Sequence, residues 1–554
     1  MPSDFLQKSL RILLQRQTNI LSAAFVIMAT VVFSQLLGLV RQRLLVSIFG
    51  ASNTLGIYLA SGRIPDLLFQ IIIAGALSSA FIPVFSEFLA KNEQEKANRM
   101  ASTLLLFAIG IFSIVSLILF IFAPFFLQLM NLGSGFSASD MSLMASLMRV
   151  IIFSQFLFII ATFFSALLQS YNHFFIPGIA AALYNLGVII GILLFSQSLG
   201  IYAPAVGNVI GACFFILAQL PVVKKMGFSF IPILSARVAG VKEVLVLMWP
   251  RTVSLAIFQV GALLTVSLVS FLPDAGRHYV IFDYAQTLAF APVALFGQTI
   301  AQAAFPVLSR ERNNLNSFKS TFLTSFNQMV YLVLPVSVIF LVLRIPVVRL
   351  IFGAGQFDWD ATVLTGRTLA FFAIGIFSQA LIYLISRGFY ALHDTKTPLW
   401  IGGVSTLFMM GLGYTLVTYG QWGVEGIAFA YSVAGILNVV VSMLFLGKKV
   451  NGFDRGSLLL PFSKIALATV FTGFALYIPI KLLDQLVFDT TKTMNLIFLT
   501  GISSAAGLSL YLFLTWLFNV KEAMTFILMF KRLGNWREIL GIRSETIDPT
   551  RLNP

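Results

Sequence analysis

At 554 residues, with 58% hydrophobic, 14% aromatic and only 10% charged side chains and a mean hydropathy of +0.93, the chain is too apolar for any soluble globular class and reads as a polytopic membrane protein. Its formal net charge of +15 then marks cytoplasmic loops held near anionic lipid headgroups rather than a nucleic-acid surface. The single cysteine, Cys213 in VIGACFFILAQL, excludes an intrachain disulfide or thiolate metal site and reads as a small packing residue.

The amino terminus, MPSDFLQKSLRILLQRQTN, places Lys8, Arg11 and Arg16 ahead of an apolar run too long for a signal-peptide core and without a cleavage pattern, so the run is expected to stay as the first transmembrane helix. A span needs about 20 apolar residues. Fourteen candidates follow along the chain: 22–49, 56–86, 100–130, 141–170, 177–197, 203–223, 243–272, 278–308, 320–352, 362–392, 398–419, 423–447, 461–486 and 494–519. Several are long enough to require tilt or protrusion.

The first span contains SQLLGLVRQRLL (34–45), where an arginine near the bilayer centre costs roughly 2.5–3.5 kcal/mol even on the lenient insertion scale. Ser34, Gly38 and Arg41 share one helix face, with Gln35 and Gln42 on the adjacent strip. Arg43 lies about 200° around from Arg41 and roughly 10 Å from the outer end, where it can snorkel. Arg41 is deeper, which suits a cavity-facing polar stripe; a structural pair with Asp66 or simple snorkelling are the alternatives. In the second span, SGRIPDLLFQ sets Arg63 at similar depth, with Asp66 and Gln70 at i+3 and i+7, and Pro65 should bend the helix and free backbone groups to line a water-filled space. In the seventh, LMWPRTVSL offers Arg251 as a cavity charge or a cytoplasmic-end anchor. Arg387, at the cytoplasmic end of the tenth span, stands near Asp394 and Lys396 of the next loop, a polar cluster suited to gating closure or to signalling topology.

Direction follows from the basic loops. With fourteen spans, Lys8/Arg11/Arg16, Lys91/Lys96/Arg99, Lys224/Lys225/Arg237/Lys242, Arg310/Arg312/Lys319, Lys448/Lys449/Arg455 and Lys531/Arg532/Arg537 all fall on one side, while GASNTL, NLGSGFSASD and SQSLGIYA opposite carry no Lys or Arg. Both termini are therefore expected in the cytoplasm. Arg277, Arg344, Arg349, Arg367, Lys481 and Lys492 are the exceptions near the outer side. His173, His278 and His393 lie at or near loop ends without metal-ligand spacing, and no P-loop, Ser/His/Asp set or dinucleotide fingerprint occurs, so no metal, no ATP and no other cofactor is expected.

The chain also echoes itself. IFSQ occurs at 152–155 and 376–379, FSALLQSYNHFFIP (164–177) aligns with ISRGFYALHDTKTP (385–398), and AFIPVFSE (80–87) with AAFPVLSR (303–310), at an offset of about 220 residues. That offset covers six spans, an even number, so the copies run parallel about an axis along the membrane normal. The expected fold is all-α: an N-lobe of six spans (1–225) and a C-lobe of six (226–450) around a central cavity, an appended pair of spans (451–520) and a cytoplasmic tail (521–554).

GALSSAFIPVFSEFL (75–89), RLIFGAGQFDWDAT (349–362), SRGFYALHDTKTP (386–398) and GVEGIAFAYSVAGILN (423–438) resemble the MurJ (MviN) lipid II flippases of the multidrug/oligosaccharidyl-lipid/polysaccharide exporter superfamily, over nearly the whole chain. The resemblance implies fourteen spans, the last two accommodating a lipid tail, and transfer of an undecaprenyl-linked peptidoglycan precursor from the inner to the outer leaflet of a bacterial cytoplasmic membrane by a monomer with lipid partners. It implies cavity arginines on spans one, two and eight, of which Arg41 matches the first. The chain departs from that pattern at Gln35, at Phe69 and Gln70, and at Gln286 or Thr287 in FDYAQTLAFAP, leaving Arg63 and Arg251 to compensate. The sodium site of family members uses acidic residues on spans seven and eleven; neither span has one here, so no such site is expected. A doubly charged pyrophosphate suits bidentate arginine, and the membrane potential is expected to help return an empty, positively charged cavity inward. The rival readings are an exporter of another polyprenyl-linked glycan or of amphiphilic drugs, against which the prevalence of basic and amide groups in the spans speaks, and a non-transporting cell-wall scaffold.

Overall fold

The structure is a computed structural model and describes residues 20–74, 80–486 and 492–524. These are helical with short connections, and no strand occurs among them. The first span is one helix, α1 (Ile20–Phe49). The second is broken into α2 (Asn53–Ser61), α3 (Arg63–Phe69) and a π-helical turn at Gln70–Ala74, ahead of α4 (Ile82–Ala90). The helix is interrupted at Gly62, three residues before Pro65, near which a bend is expected. This puts Pro65 in the first turn of α3, where its missing N–H is tolerated, while the Asp66 amide donates to the Gly62 carbonyl at 2.9 Å.

Next come α5 (Gln94–Ile121), α6 (Ala123–Gln128), α7 (Ala138–Ser170), α8 (Phe175–Leu199), α9 (Tyr202–Lys225) and α10 (Val241–Val269). The second half of the chain continues with α11 (Ala275–Pro292), a π-helical segment at Val293–Gln298, α12 (Thr299–Arg310), α13 (Leu315–Val342), α14 (Arg344–Phe352), α15 (Trp359–Ala391), α16 (Lys396–Thr418) and α17 (Val424–Lys449), then α18 (Arg455–Leu486) and α19 (Thr493–Leu517). Thirteen spans among the described residues are long and apolar enough to cross a bilayer. The remaining expected span, 243–272, lies on α10, where only Val260–Val269 is counted, as a shorter apolar helix. The terminal charges Lys8, Arg11, Arg16, Lys531, Arg532 and Arg537 lie outside the described residues.

The backbone carries the duplication more fully than the shared words do. Each half has a π-helical stretch in the same place, Gln70–Ala74 and Val293–Gln298. Each also breaks a long span at matching positions, α5 from α6 near Pro124 and α13 from α14 near Pro346. Three turns repeat in detail, because the positive-φ pairs Asn172/His393, Gly200/Gln421 and Gly227/Asn451 occupy equivalent connections.

By proximity of Cα atoms the chain divides into two compact units. The first comprises Met1–Leu288, Val347–Phe372 and Leu399–Ala434; the second, Ala289–Pro346, Ala373–Pro398 and Gly435–Pro554. These packing units do not follow the lobe boundaries expected from the duplication. In the first unit α8 and α9 meet through Gly187 on Gly211 and Gly191 on Gly207; a Cβ at Gly187 would run into the Gly211 backbone, so the glycines permit the approach. Phe81, Phe85 and Phe163 anchor a core cluster there with Met100 and Leu168. In the second unit α13 packs on α18, and α19 joins them through Tyr511, whose hydroxyl donates to the Tyr331 carbonyl at 2.7 Å.

Candidate functional site

The polar side chains of the first unit gather from helices that have little other polarity. On α1 the stripe is real but is partly spent on packing. Asn185 of α8 donates to the Ser34 carbonyl and hydroxyl at 3.1 and 3.3 Å, and Gly38 faces the same Asn185 side chain. Gln35 is exposed. Arg41 is half-buried, an electrostatic neighbour of Tyr58, Asp66, Tyr184 and Tyr284, and makes no hydrogen bond or ion pair among the described residues. Arg43, on the other face, is exposed and donates to the Leu350 carbonyl at 2.9 Å, in the last turn of α14. It is a tether at a helix C-terminus, where a cation is favoured.

Gly62 restarts the second span so that α3 carries Arg63 and Asp66 inward together. Arg63 is ion-paired with Asp283 of α11 and donates to the Tyr279 hydroxyl one turn away, with its guanidinium also over the Tyr279 ring at 5.6 Å. The pair is mostly buried, at 28% and 16% side-chain exposure. Asp66 accepts from Gln155 Nε2 of α7 at 2.5 Å. It lines a cavity of about 410 Å³ with Phe69, Gln70, Ser154, Gln155, Phe158 and Tyr184. Behind the cavity Tyr184 donates to Asn208 of α9 at 3.2 Å, and Asn208 donates to the Tyr58 hydroxyl at 3.0 Å. Formal charges in the cluster cancel: Arg41 and Arg63 against Asp66 and Asp283.

The structure thus brings together Arg41, Arg63, Asp66 and Gln70, and turns Ser34 toward Asn185. Gln286 is half-buried on α11 without a specific contact, and the Arg251 side chain lies outside the described residues. Sequence reasoning missed Asp283, although it is the one acidic residue in FDYAQTLAFAP; a lone carboxylate in an apolar helix is itself a signal. It also missed Gln155, which stands in the duplicated word IFSQ. The prevalence of basic groups inferred from the spans is corrected accordingly, since the arginine of the second span meets a carboxylate of the eighth.

In the second unit Arg387 and Asp394 do not form one cluster. Arg387 sits over the Phe305 ring at 5.2 Å. Asp394 binds Lys449 Nζ at 2.6 Å and accepts from the Thr397 hydroxyl at 2.6 Å and the Lys396 and Thr397 amides at 3.1 and 3.0 Å, which caps the start of α16. Burial alone would raise its pKa, but the Lys449 and Thr397 hydrogen bonds outweigh it and hold the carboxyl at about 2. His393 lies against Arg312. No grouping of three or more His, Cys, Asp or Glu suited to a metal occurs among the described residues.

Comparison with known proteins places this geometry. The family model described as lipid II flippase MurJ matches residues 45–498. The lipid II flippase MurJ of Burkholderia cenocepacia is 28% identical over 455 residues, covering 79% of this chain and 86% of that protein. Among solved structures, a lipid II flippase MurJ in an inward closed conformation superposes with a TM-score of 0.72 at 24% identity, over 89% of this chain and 98% of that one. An inward-facing multidrug resistance MATE family transporter of the MOP superfamily gives 0.64 at 13% identity, over 77% and 98%, a likeness of fold alone.

Proposed function

This chain belongs to the lipid II flippase MurJ family, and on that premise we propose that it carries lipid II from the inner to the outer leaflet of a bacterial cytoplasmic membrane by alternating access, for peptidoglycan synthesis. The observation that carries the site assignment is the uncommitted charge of Arg41. Every intramembrane cation must be matched by something, and Arg63 is matched by Asp283, whereas Arg41 stands half-buried beside a polar cavity with no hydrogen-bonded partner. A pyrophosphate is the partner whose charge and geometry suit it. The family match begins at Leu45, so this role for Arg41 rests on its surroundings.

Energy coupling follows from the charge balance. Because the four charges of the cluster cancel, the membrane potential acts chiefly on the loaded protein. Moving a pyrophosphate outward, toward the positive side, gains about 2.3 kcal/mol per charge per 100 mV for full passage. The potential therefore assists the loaded step rather than the empty return, and no ATP is used. The protein works as a monomer with both termini in the cytoplasm.

One observation favours a second reading. Asp66 and Asp283 bring two carboxylates into the spans, as an exporter of amphiphilic cations would require. Expression in a bacterium depleted of its own flippase separates the two. Restored growth is expected; failure despite normal membrane insertion would move the assignment to another polyprenyl-linked glycan or a scaffold, and resistance to lipophilic cations would move it to drug export.

A further inference from the structure

The cavity beside Asp66 has a chemical bias that a phosphate seat would not have. Several of its lining hydrogen-bonding groups have donors already committed. Gln155 gives one amide N–H to Asp66, and its Oε1 is buried without a partner. Ser154 donates its hydroxyl proton to the Ile151 carbonyl at 2.8 Å, leaving lone pairs. Tyr184 donates its proton to Asn208, again leaving an oxygen that can only accept. Asp66 offers carboxylate oxygen. A carboxylate beside hydroxyl oxygens whose protons are already given away suits a ligand rich in O–H and N–H better than an anion, which brings acceptors of its own.

The remaining lining is the Gln70 amide and two aromatic rings. Phe69 meets Phe158 edge-on at 5.1 Å and Phe158 meets Tyr184 at 4.9 Å, so ring surface lies beside the acceptors. Acceptors beside aromatic surface suit a pyranose, whose hydroxyls point around its edge while its C–H faces pack on rings. A cation is not demanded, because Arg63 and Arg41 already stand near the Asp66 carboxylate. The cavity volume of about 410 Å³ lies within the usual range for small-molecule sites, about 300–1,000 Å³.

We propose that this cavity between α3, α7 and α8 is a sugar subsite, which takes a neutral hydroxyl- and amide-bearing sugar of the headgroup while Arg41 takes the pyrophosphate. This rests on the flippase reading and divides the headgroup between two neighbouring places. Gln155 and Tyr184 then determine which glycan is carried, and Arg41 whether any pyrophosphate lipid is.

The test uses the full chain purified in lipid nanodiscs and three probes: undecaprenyl pyrophosphate, the same lipid bearing the disaccharide without peptide, and complete lipid II. Gln155→Leu and Tyr184→Phe should each weaken binding of both sugar-bearing lipids, by about tenfold for Gln155→Leu, and leave undecaprenyl pyrophosphate affinity unchanged, which also shows that the variants are folded. Arg41→Ala should weaken all three. Equal weakening of all three probes by the cavity variants, or no weakening, overturns the proposal. Weakening confined to complete lipid II also overturns it, by identifying a peptide ammonium as the occupant. Absence of binding by the unaltered protein to any probe would sink the flippase reading itself, a distinct result.

Discussion

Arg63 and Asp283 show how a residue's meaning depends on a partner far away in the chain. From the sequence, Arg63 is a deep cation at the level of Arg41, and both look available to a phosphate. In the structure a carboxylate on α11 claims it, and Tyr279 adds a second contact. No period or spacing on the second span could reveal this, because the partner is about 220 residues away. The consequence is measurable. Asp283→Ala leaves a mostly buried guanidinium unpaired and should cost stability near the lower end of about 3–5 kcal/mol, whereas Arg63→Leu together with Asp283→Leu should cost much less, because neither charge is stranded. Thermal unfolding in detergent, followed for the single and double variants, reads the difference. Equal losses would mean that the pair is not coupled.

Helices of this chain are legible as apolar spans but not in their interruptions. Apolarity alone marks a span, and where every face is apolar there is no phase to show a kink. Thus 100–130 and 320–352 read as single spans, yet each is split, into α5 with α6 and α13 with α14, at a proline held in the first turn of the second piece. The interruption near Pro65 was legible because proline announces one, although it falls at Gly62. Connections gave less. SRGFYALHDTKTP suggests one polar cluster, but Arg387 turns to Phe305, while Asp394 caps α16 and ties it to α17 through Lys449. The tie has a defined pH behaviour. With a folded pKa of about 2 against 3.8 ordinarily, its stabilisation is fully present above the ordinary value and is lost only as pH falls through about 2. Asp394→Asn should therefore lower thermal stability by about 1 kcal/mol and by the same amount at pH 5 and pH 8; a penalty that disappears by pH 5 would contradict this assignment.

Across the whole molecule, composition settled the class, and the duplicated words settled the plan of two corresponding halves. The paired turns at Asn172/His393, Gly200/Gln421 and Gly227/Asn451 repeat that plan in the backbone. Orientation is a separate inference from loop charge. In a Cys213→Ala background, a membrane-impermeant thiol reagent added outside should label cysteines placed at Ser52 and Ser137 and spare those at Asn92 and Asn451; the opposite pattern would invert the topology. The proposed transport depends on Arg41, which makes no hydrogen bond or ion pair among the described residues. The most direct measurement is the fraction of lipid II exposed at the outer face of flippase-depleted cells that express this chain or its Arg41→Ala variant at equal membrane levels. The unaltered chain should restore exposure, Arg41→Lys should restore part of it because a point charge replaces the bidentate fork, and Arg41→Ala should restore none. Full restoration by Arg41→Ala would contradict the account.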